Sequence, residues 1–238
     1  MLLNSKHHES FNDFFSEDNI KILRKIEEEL VNEEITPSFD KVLRFMQQDL
    51  MSVKVIWLGQ DPYFQPNVAT GRSFEPNDLY SWDAKFKQVS LKNIIRNIYR
   101  SYYPENFSKI NTYSDIMIER RLGNFNILDP KEWFNNLEFQ GVMFLNTYFT
   151  CRVNCPNSHR KIWREFSLRV IEYIYKKNPT IIWFLWGNEA KSVLQIEPNL
   201  INYSSNHPMI CNIKKEDDFL NNQCFINTKE LINWLGSV

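Results

Sequence analysis

The chain has 238 residues, of which 43% are hydrophobic and 15% aromatic, and its formal net charge is −1. This composition is typical of a globular protein that buries a core of its own, and it excludes a disordered chain. A net charge close to zero argues against a protein coated in positive charge for gripping nucleic acid, so any such binding has to use a local patch.

The sequence also lacks the marks of a membrane or secreted protein. No apolar run approaches the roughly 20 residues that a membrane span needs, and the start MLLNSKHHESFNDFF has no signal-peptide pattern. We therefore expect an intracellular protein without membrane contact. In a reducing compartment the four cysteines are expected to be free thiols, and their spacing argues against a metal or iron–sulfur site.

The N-terminal part is predicted to be helical. The run DNIKILRKIEEELV predicts a helix over residues 18–31, because its apolar residues recur on one helical face. A second helix is predicted within TPSFDKVLRFM, where Ser38 is a suitable N-cap. Both helices precede the first predicted strand of the main sheet.

The rest of the chain alternates strands and helices. Apolar runs predict strands at VKVIWL (53–58), GVMFLNTYFT (141–150) and PTIIWFLWGN (179–188), with a weaker one at NLINYSSNHP (199–208). Helices are predicted at SLKNIIRNIYRSYY, DPKEWFNNL and REFSLRVIEYIYKK, with a closing helix at NTKELINWL (227–235). This alternation favours a single α/β domain over residues 1–238, with N-terminal helices in 1–50 and a core in 51–238. A central four-stranded, mostly parallel sheet flanked by helices is expected.

Polar residues follow the predicted strands where parallel sheets bind ligands, outside the carboxyl ends of the strands. Asp61 follows the first of these strands, Asn146 lies near the end of the second, and His207 follows the fourth. Asp61 could be a simple turn former, although Pro62 favours an extended, restrained aspartate. Asn146 interrupts an apolar strand, so its amide is either hydrogen-bonded in the core or directed at a ligand.

Four motifs in chain order resemble the uracil-DNA glycosylases of family 1. GQDPY, GVMFLNT, FLWGN and HP correspond to that family's GQDPYH turn, GVLLLNT strand, LLWG strand and HPSP loop. The similarity continues through ITPSFDKVLRFMQQDLMSVKVIWLGQDPY, TCRVNCPNSHRKIWREF and FLNNQCFINTKELI, and so covers almost the whole chain. It implies a three-layer α/β/α fold and hydrolysis, without metal or cofactor, of the bond between a flipped-out uracil and its deoxyribose in DNA.

The resemblance implies a role for each pocket residue. Asp61 would orient the attacking water, and His207 would donate a hydrogen bond to uracil O2. Asn146 would pair with uracil O4 and N3–H, Phe74 would stack on the base, and Tyr63 would exclude the methyl group of thymine.

The resemblance also implies partners. Gln60 joins the uracil-binding residues. Contacts to the DNA backbone are expected from helix starts and hydroxyl groups. Lysines near these positions are weaker candidates, because surface lysines are most often simply solvated. The expected DNA-binding residues are Pro62, Ser90, Lys92, His159, Gly187, Asn188, Pro208, Met209, Ile210, Cys211 and Ile213. The expected partners are uracil-containing DNA, single- or double-stranded, and a protein inhibitor of the family, and the chain is expected to be a monomer. It would act in a bacterial cytoplasm, or in a nucleus or at a site of viral replication.

This sequence departs from the family pattern in several places. Phe64 replaces the histidine that ends the usual turn, and Thr70 and Arg72 alter the floor of the pocket. FKQVS replaces the consecutive prolines of the family's phosphate-binding loop. After His207 the chain reads HPMICNIKKEDDF, and Cys211 stands where the family has an intercalating leucine. A wedge that fills the gap left by a flipped base should be bulky and apolar. The other candidates for the wedge are Met209, Ile210 and Ile213.

Two further interpretations stay open at this point. The same fold could serve a non-catalytic DNA-binding or replication-accessory protein, since fold does not determine function. A glycosylase for another damaged base is the second. The altered turn and wedge favour the accessory protein, whereas the retained pocket residues argue against both.

Overall fold

The computed structural model describes residues 2–237. Its strands are β1 (Ile35–Thr36), β2 (Val55–Gly59), β3 (Val142–Asn146), β4 (Cys151–Arg152), β5 (Ile182–Trp186) and β6 (Ile201–Ser205). Strands β1 and β4 form a small antiparallel sheet, with Ile35 opposite Arg152 and Thr36 opposite Cys151. The other strands form a four-stranded sheet in the order β3-β2-β5-β6.

The burial of the central strands explains their sequences. Every residue of β2 and β3 is buried, which matches continuous apolar runs covered on both faces. Strand β6 lies at the edge of the sheet and exposes more of its residues. The prediction of an α/β fold with a four-stranded parallel sheet flanked by helices is confirmed.

Helices occupy most of the connections between strands. They are α1 (Glu17–Leu30), α2 (Phe39–Val42), α3 (Val89–Tyr102), α4 (Tyr113–Arg121), α5 (Pro130–Phe139), α6 (Arg160–Lys177), α7 (Asn188–Lys191) and α8 (Cys224–Thr228). Short 3₁₀ helices cover Leu2–Asn4, Glu9–Phe14, Arg44–Gln47, Ser192–Gln195 and Phe219–Asn221. The predicted helix over 18–31 is α1, which starts after Ser16, whose side chain accepts a hydrogen bond from Asn19 N. Ser38 precedes α2 but makes no capping bond to it.

The predicted closing helix over 227–235 is wrong. Helix α8 ends at Thr228, and the chain then turns. The turn brings the fully buried Trp234 back so that its indole N–H donates to Thr228 Oγ1 at 3.0 Å, while its carbonyl accepts from Trp133 Nε1 at 2.8 Å. Burial of this tryptophan, with both polar groups paired, outweighs the helical pattern of the sequence.

The chain divides into two compact units, each assembled from separate segments. The first unit comprises the N-terminal segment through Asp78, Met143–Trp183 and Ser192–Ile201. Aromatic rings pack in its core, where Trp57 lies edge-on to Phe144 and Phe149 edge-on to Trp163, with centroids 5.2 and 5.0 Å apart.

The second unit comprises Leu79–Val142, Phe184–Lys191 and the segment from Asn202 onward. Its core includes an edge-on pair of Trp82 and Trp133, at 5.4 Å, and one of Trp186 and Phe219, at 4.9 Å. A single domain over residues 1–238, with N-terminal helices in 1–50 and a core in 51–238, stays a prediction. Across residues 2–237, no helix combines the length and the apolar character that crossing a membrane requires.

Candidate active site

The turn of residues 60–64, here called the Asp61 turn, follows β2 and is held through its main chain. Four of its carbonyl groups accept hydrogen bonds from other segments of the first unit. These bonds are Tyr148 N to Gln60 O (2.9 Å), Cys151 Sγ to Pro62 O (3.7 Å), Thr36 Oγ1 to Tyr63 O (3.1 Å) and Asn154 N to Phe64 O (2.7 Å). The backbone on each side of Asp61 is therefore fixed.

The Asp61 carboxylate is partly withdrawn from solvent, because its Oδ1 is buried. Its charge also acts on Cys151. Burial, and then the charge of Asp61, raises the pKa of the Cys151 thiol to about 12. The thiol stays protonated at neutral pH and can donate to the carbonyl of Pro62.

Asn146 ends β3, and the buried oxygen of its side-chain amide lacks a hydrogen-bond partner. The residue is 5% exposed, and its Oδ1 makes no hydrogen bond to any residue in the described range. Gly59 makes room for this amide, since a Cβ atom on Gly59 would collide with Asn146 Oδ1 and lie 2.9 Å from Ser73 Cβ. An unmade hydrogen bond of this kind costs about 1–3 kcal/mol, so the oxygen is set for a donor that the chain does not supply.

Phe74 and Tyr63 are joined by a hydrogen bond from the side chain of one to the main chain of the other. The Tyr63 hydroxyl donates to Phe74 O at 3.1 Å, and burial, together with the charge of Asp78, raises the pKa of that hydroxyl. Phe74 has φ = +63°, a left-handed conformation that a bulky residue adopts only under constraint. Its ring lies edge-on to Trp57, with centroids 6.2 Å apart. The position of the Phe74 ring is thus determined by its surroundings.

The altered floor next to Phe74 contains a buried ion pair. Arg72 Nη1 lies 3.2 Å from Glu75 Oε1, and both side chains are 4% exposed. Thr70 Oγ1 accepts from Arg72 N at 3.2 Å and donates to Glu75 O at 3.4 Å. These contacts bracket Phe74 and help to hold its unusual backbone conformation.

His159 is buried, which corrects the expected DNA contact. It is 1% exposed, and its ring nitrogens lie 2.9 Å from Thr150 Oγ1 and 2.7 Å from Glu33 Oε2. Neither nitrogen is available to a phosphate. Gln60 remains partly exposed, and its amide donates to Asn157 Oδ1.

In the second unit, His207 follows β6 with a defined tautomer. Met209 N donates to His207 Nδ1 at 3.1 Å, which places the ring proton on Nε2. Burial lowers the pKa of His207, so the imidazole is neutral at pH 7 and offers Nε2–H as a donor. Gly187, with φ = +93°, allows this close packing, because a Cβ there would lie 3.1 Å from His207 Cβ. Asn188 is exposed at the start of α7.

The segment of residues 208–218, here called the His207 loop, exposes apolar side chains. Ile210 is 69% exposed, Met209 59% and Ile213 49%. Cys211 does not share this exposure. It is half-buried and its Sγ donates to Pro208 O at 3.4 Å, and burial raises the pKa of its thiol to about 11.

Helix α3 anchors the start of this loop and carries the expected phosphate contacts. Asn93 Nδ2 donates to Pro208 O at 2.6 Å, a contact that no sequence signal predicts. Ser90 lies in the first turn of α3 and is partly exposed. Lys92 Nζ lies over the ring of Phe86, 4.8 Å from its centroid. Within residues 2–237, no cluster of His, Cys, Asp and Glu side chains could hold a metal ion.

The sequence of this chain is similar to those of several curated proteins. No protein-family model matches the chain. A uracil-DNA glycosylase of Mesomycoplasma hyopneumoniae is 31% identical over 189 residues, covering 76% of this chain and 74% of the relative. One of Fusobacterium nucleatum is 32% identical over 182 residues, covering 76% and 69%. Uracil-DNA glycosylase 2 of Listeria innocua is 35% identical over 159 residues, covering 66% of this chain but only 59% of the relative.

Solved structures agree at the level of the fold. The wild-type UNG crystal structure from Nitratifractor salsuginis matches 97% of this chain and 90% of its own, with a TM-score of 0.66 and 19% identity. Mimivirus uracil-DNA glycosylase matches 85% of this chain and 69% of its own, with a TM-score of 0.64 and 20% identity.

Proposed function

Because this chain belongs to the uracil-DNA glycosylase family, we propose that it flips uracil out of DNA and hydrolyses its N-glycosidic bond. The products are free uracil and an abasic site, the entry point of base-excision repair. The proposed enzyme is a hydrolase that needs neither metal nor cofactor.

The unpaired oxygen of Asn146 carries this proposal. Uracil presents an N3–H donor next to the O4 acceptor, and an asparagine amide matches this pair with Oδ1 and Nδ2. Cytosine presents the reverse pattern at the same two positions. Asn146 Oδ1 is buried and lacks a donor, so a base with N3–H would satisfy it and cytosine would not.

Phe74 and Tyr63 supply the remaining selectivity in the proposed pocket. Phe74 offers a ring whose position is set by Tyr63 and Trp57, suited to stack on a flat base. Tyr63 excludes the thymine methyl group sterically. Attraction alone distinguishes a methyl group by only about 1–3 kcal/mol, so a rigid wall is the more effective device.

Asp61 and His207 are proposed to carry the chemistry. The carboxylate of Asp61 orients the attacking water, and its negative charge stabilises the cationic character that the sugar develops. His207, as a neutral imidazole with its proton on Nε2, donates to uracil O2, where negative charge accumulates as the base departs. A preorganised donor of this kind typically contributes about 10²–10³ in rate.

DNA is proposed to be held by main-chain groups, hydroxyls and apolar contacts. Ser90 and Lys92 at the start of α3 are suited to a phosphate, and Asn188 is exposed at the start of α7. Pro62, Gly187 and Pro208 stay proposed DNA contacts. The His207 loop supplies the wedge, for which exposure favours Ile210 over Cys211.

Partners and location stay predictions. A mimivirus UNG variant has been solved in complex with UGI, which supports testing a protein inhibitor of the family against this chain. A monomer is expected, acting where DNA is repaired or replicated inside a cell.

The decisive experiment is uracil release from single-stranded and duplex oligonucleotides that contain one uracil, with Asp61→Asn purified in parallel. Release by the wild type and not by the variant supports the proposal. DNA binding without uracil release would favour the accessory-protein interpretation, which Phe64 and the altered loop after His207 also favour. Release of another damaged base instead of uracil would support a glycosylase for that base.

A further inference from the structure

We propose that Thr36 is a positioning residue for Asp61, acting through the main chain of the Asp61 turn. The inference rests on the proposed function and deepens it. It assigns a part in the reaction to the N-terminal segment, which the sequence pattern describes only as helices that precede the core.

The contact that carries the inference is a hydrogen bond made by a buried threonine. Thr36 is 3% exposed, and its Oγ1 donates to Tyr63 O at 3.1 Å. Tyr63 is two residues beyond Asp61 in the chain. A shift of this carbonyl would move the peptide groups that set the direction of the Asp61 carboxylate, and it would also move the ring of Tyr63.

The sheet of β1 and β4 turns this bond into a two-point support. Thr36 pairs with Cys151 across that sheet, and Cys151 Sγ donates to Pro62 O. The consecutive carbonyls of Pro62 and Tyr63 are therefore held by two side chains that face each other in one register. Val153 N donates to Glu34 O at 2.9 Å, which extends the pairing past Ile35 towards Glu33.

Glu33 closes the support at the other end of β1. Its Oε1 lies 2.6 Å from Arg152 Nη2, and its Oε2 lies 2.7 Å from His159 Nε2. Trp163 Nε1 donates to Thr150 Oγ1 at 2.6 Å, so the Thr150 hydroxyl can donate in turn to His159 Nδ1 and leave the imidazole proton on Nε2 for Glu33. The position of β1 is thus tied to the buried Trp163.

Catalysis should be more sensitive to this support than stability is. A single buried hydrogen bond contributes modestly to folding, whereas a catalytic group displaced by a fraction of an ångström loses its alignment with the reacting atoms. A positioning role therefore predicts a loss in the chemical step that exceeds any loss in substrate binding.

The test compares Thr36→Val, which removes the donor and keeps the β-branched shape, with Thr36→Ser, which keeps the donor. Thr180→Val is the control for loss of an exposed threonine hydroxyl, since Thr180 Oγ1 donates to Asn178 Oδ1 and not to the turn. For each protein, kcat and KM for uracil release from a single-stranded oligonucleotide are measured together with Tm. Should Thr36→Val not fold, Thr36→Ala removes the same donor without placing a methyl group against the carbonyl.

We expect Thr36→Val to lower kcat about tenfold while KM stays within about twofold. Thr36→Ser should restore most of kcat, and Thr180→Val should keep it at the wild-type value. Equal losses in Thr36→Val and Thr180→Val, or a lower Tm with unchanged kcat, would overturn the positioning role. Absence of uracil release by the wild type would instead refute the proposed function, so the two failures are distinguishable.

Discussion

The Asp61 turn and the His207 loop face opposite demands. In the turn, four carbonyl groups are held by neighbouring segments and one oxygen of Asp61 is buried. In the loop, Ile210 and Met209 expose more than half of their surface. Aligning a water molecule requires fixed geometry, whereas entering a DNA duplex requires apolar surface that is available to the base stack. In the proposed enzyme, the turn would align the attacking water molecule and the loop would enter the base stack.

The largest expected effect comes from removing the charge at the fixed turn. Asp61→Asn keeps the size of the side chain and should lower single-turnover uracil release roughly 10²–10⁴-fold, the range typical of a general base. DNA affinity, measured by fluorescence anisotropy, should stay near the wild-type value. Cleavage at the wild-type rate would remove Asp61 from the mechanism.

The second largest expected effect is a change in base selectivity on substitution of Asn146, which lies in the same compact unit as Asp61. Asn146→Asp changes the donor and acceptor pattern that faces the base, and should relax discrimination against cytosine by about 1–3 kcal/mol. The measurement is the ratio of uracil to cytosine release from matched oligonucleotides. An unchanged ratio would mean that the amide does not read the base.

The third effect belongs to the His207 loop and should depend on the substrate. Ile210→Ala should lower release from duplex DNA roughly tenfold and from single strands little, because only a duplex requires a wedge. Cys211→Ala is the matched control, since its thiol is directed at Pro208 O. If Cys211→Ala proved as harmful as Ile210→Ala, or if Cys211→Leu improved duplex cleavage, Cys211 would be the wedge.

The smallest expected effect concerns Glu33, which supports β1 and through it the Asp61 turn, and it is an effect on stability that depends on pH. Hydrogen bonds from Arg152 and then His159 lower the pKa of Glu33 below its ordinary value of 4.5. The stabilisation is therefore present above the ordinary pKa and is lost as pH falls through the lowered one. Glu33→Gln should reduce the free energy of unfolding at pH 7 by about 1–2 kcal/mol.

The same variant should approach the wild type in acid. The difference in the free energy of unfolding between Glu33→Gln and the wild type, measured by urea titration, should become smaller below pH 4.5. Glu165→Gln is the control, because its pair with Arg169 is exposed and should contribute almost nothing. A difference that stayed constant from pH 7 into acid would show that the charge of Glu33 is not what stabilises the fold.

Strong local patterns made the central elements predictable from the sequence. The runs that form β2, β3 and β5 are continuously apolar, and α1 and α3 have clear helical periodicity. Helix α4 has no such signal, because only Ile116 and Met117 of its nine residues are buried. The closing segment was misassigned because its end is determined by Trp234 packing against residues distant in the chain.

The site was predictable to a different degree. Motifs indicated Asp61, Asn146 and His207, but exposure could not be read from them, so buried His159 was assigned to DNA. The contribution of Thr36 depends on one hydroxyl reaching a carbonyl 27 residues away, and no periodicity reports such a bond. The environment that leaves Asn146 Oδ1 without a hydrogen bond is likewise a property of the folded chain.

The discontinuous assembly of the two units bears on how the protein is made. Strand β2 is synthesised early, yet its neighbours β3 and β5 come much later in the chain. The first unit is complete only when Ser192–Ile201 has left the ribosome. Until β3 and β5 have emerged, both edges of β2 lack their partner strands, and contacts so distant in sequence form slowly. Newly made chains should therefore depend on chaperones, and truncation from the C-terminal end should leave insoluble fragments well before it reaches Asp61.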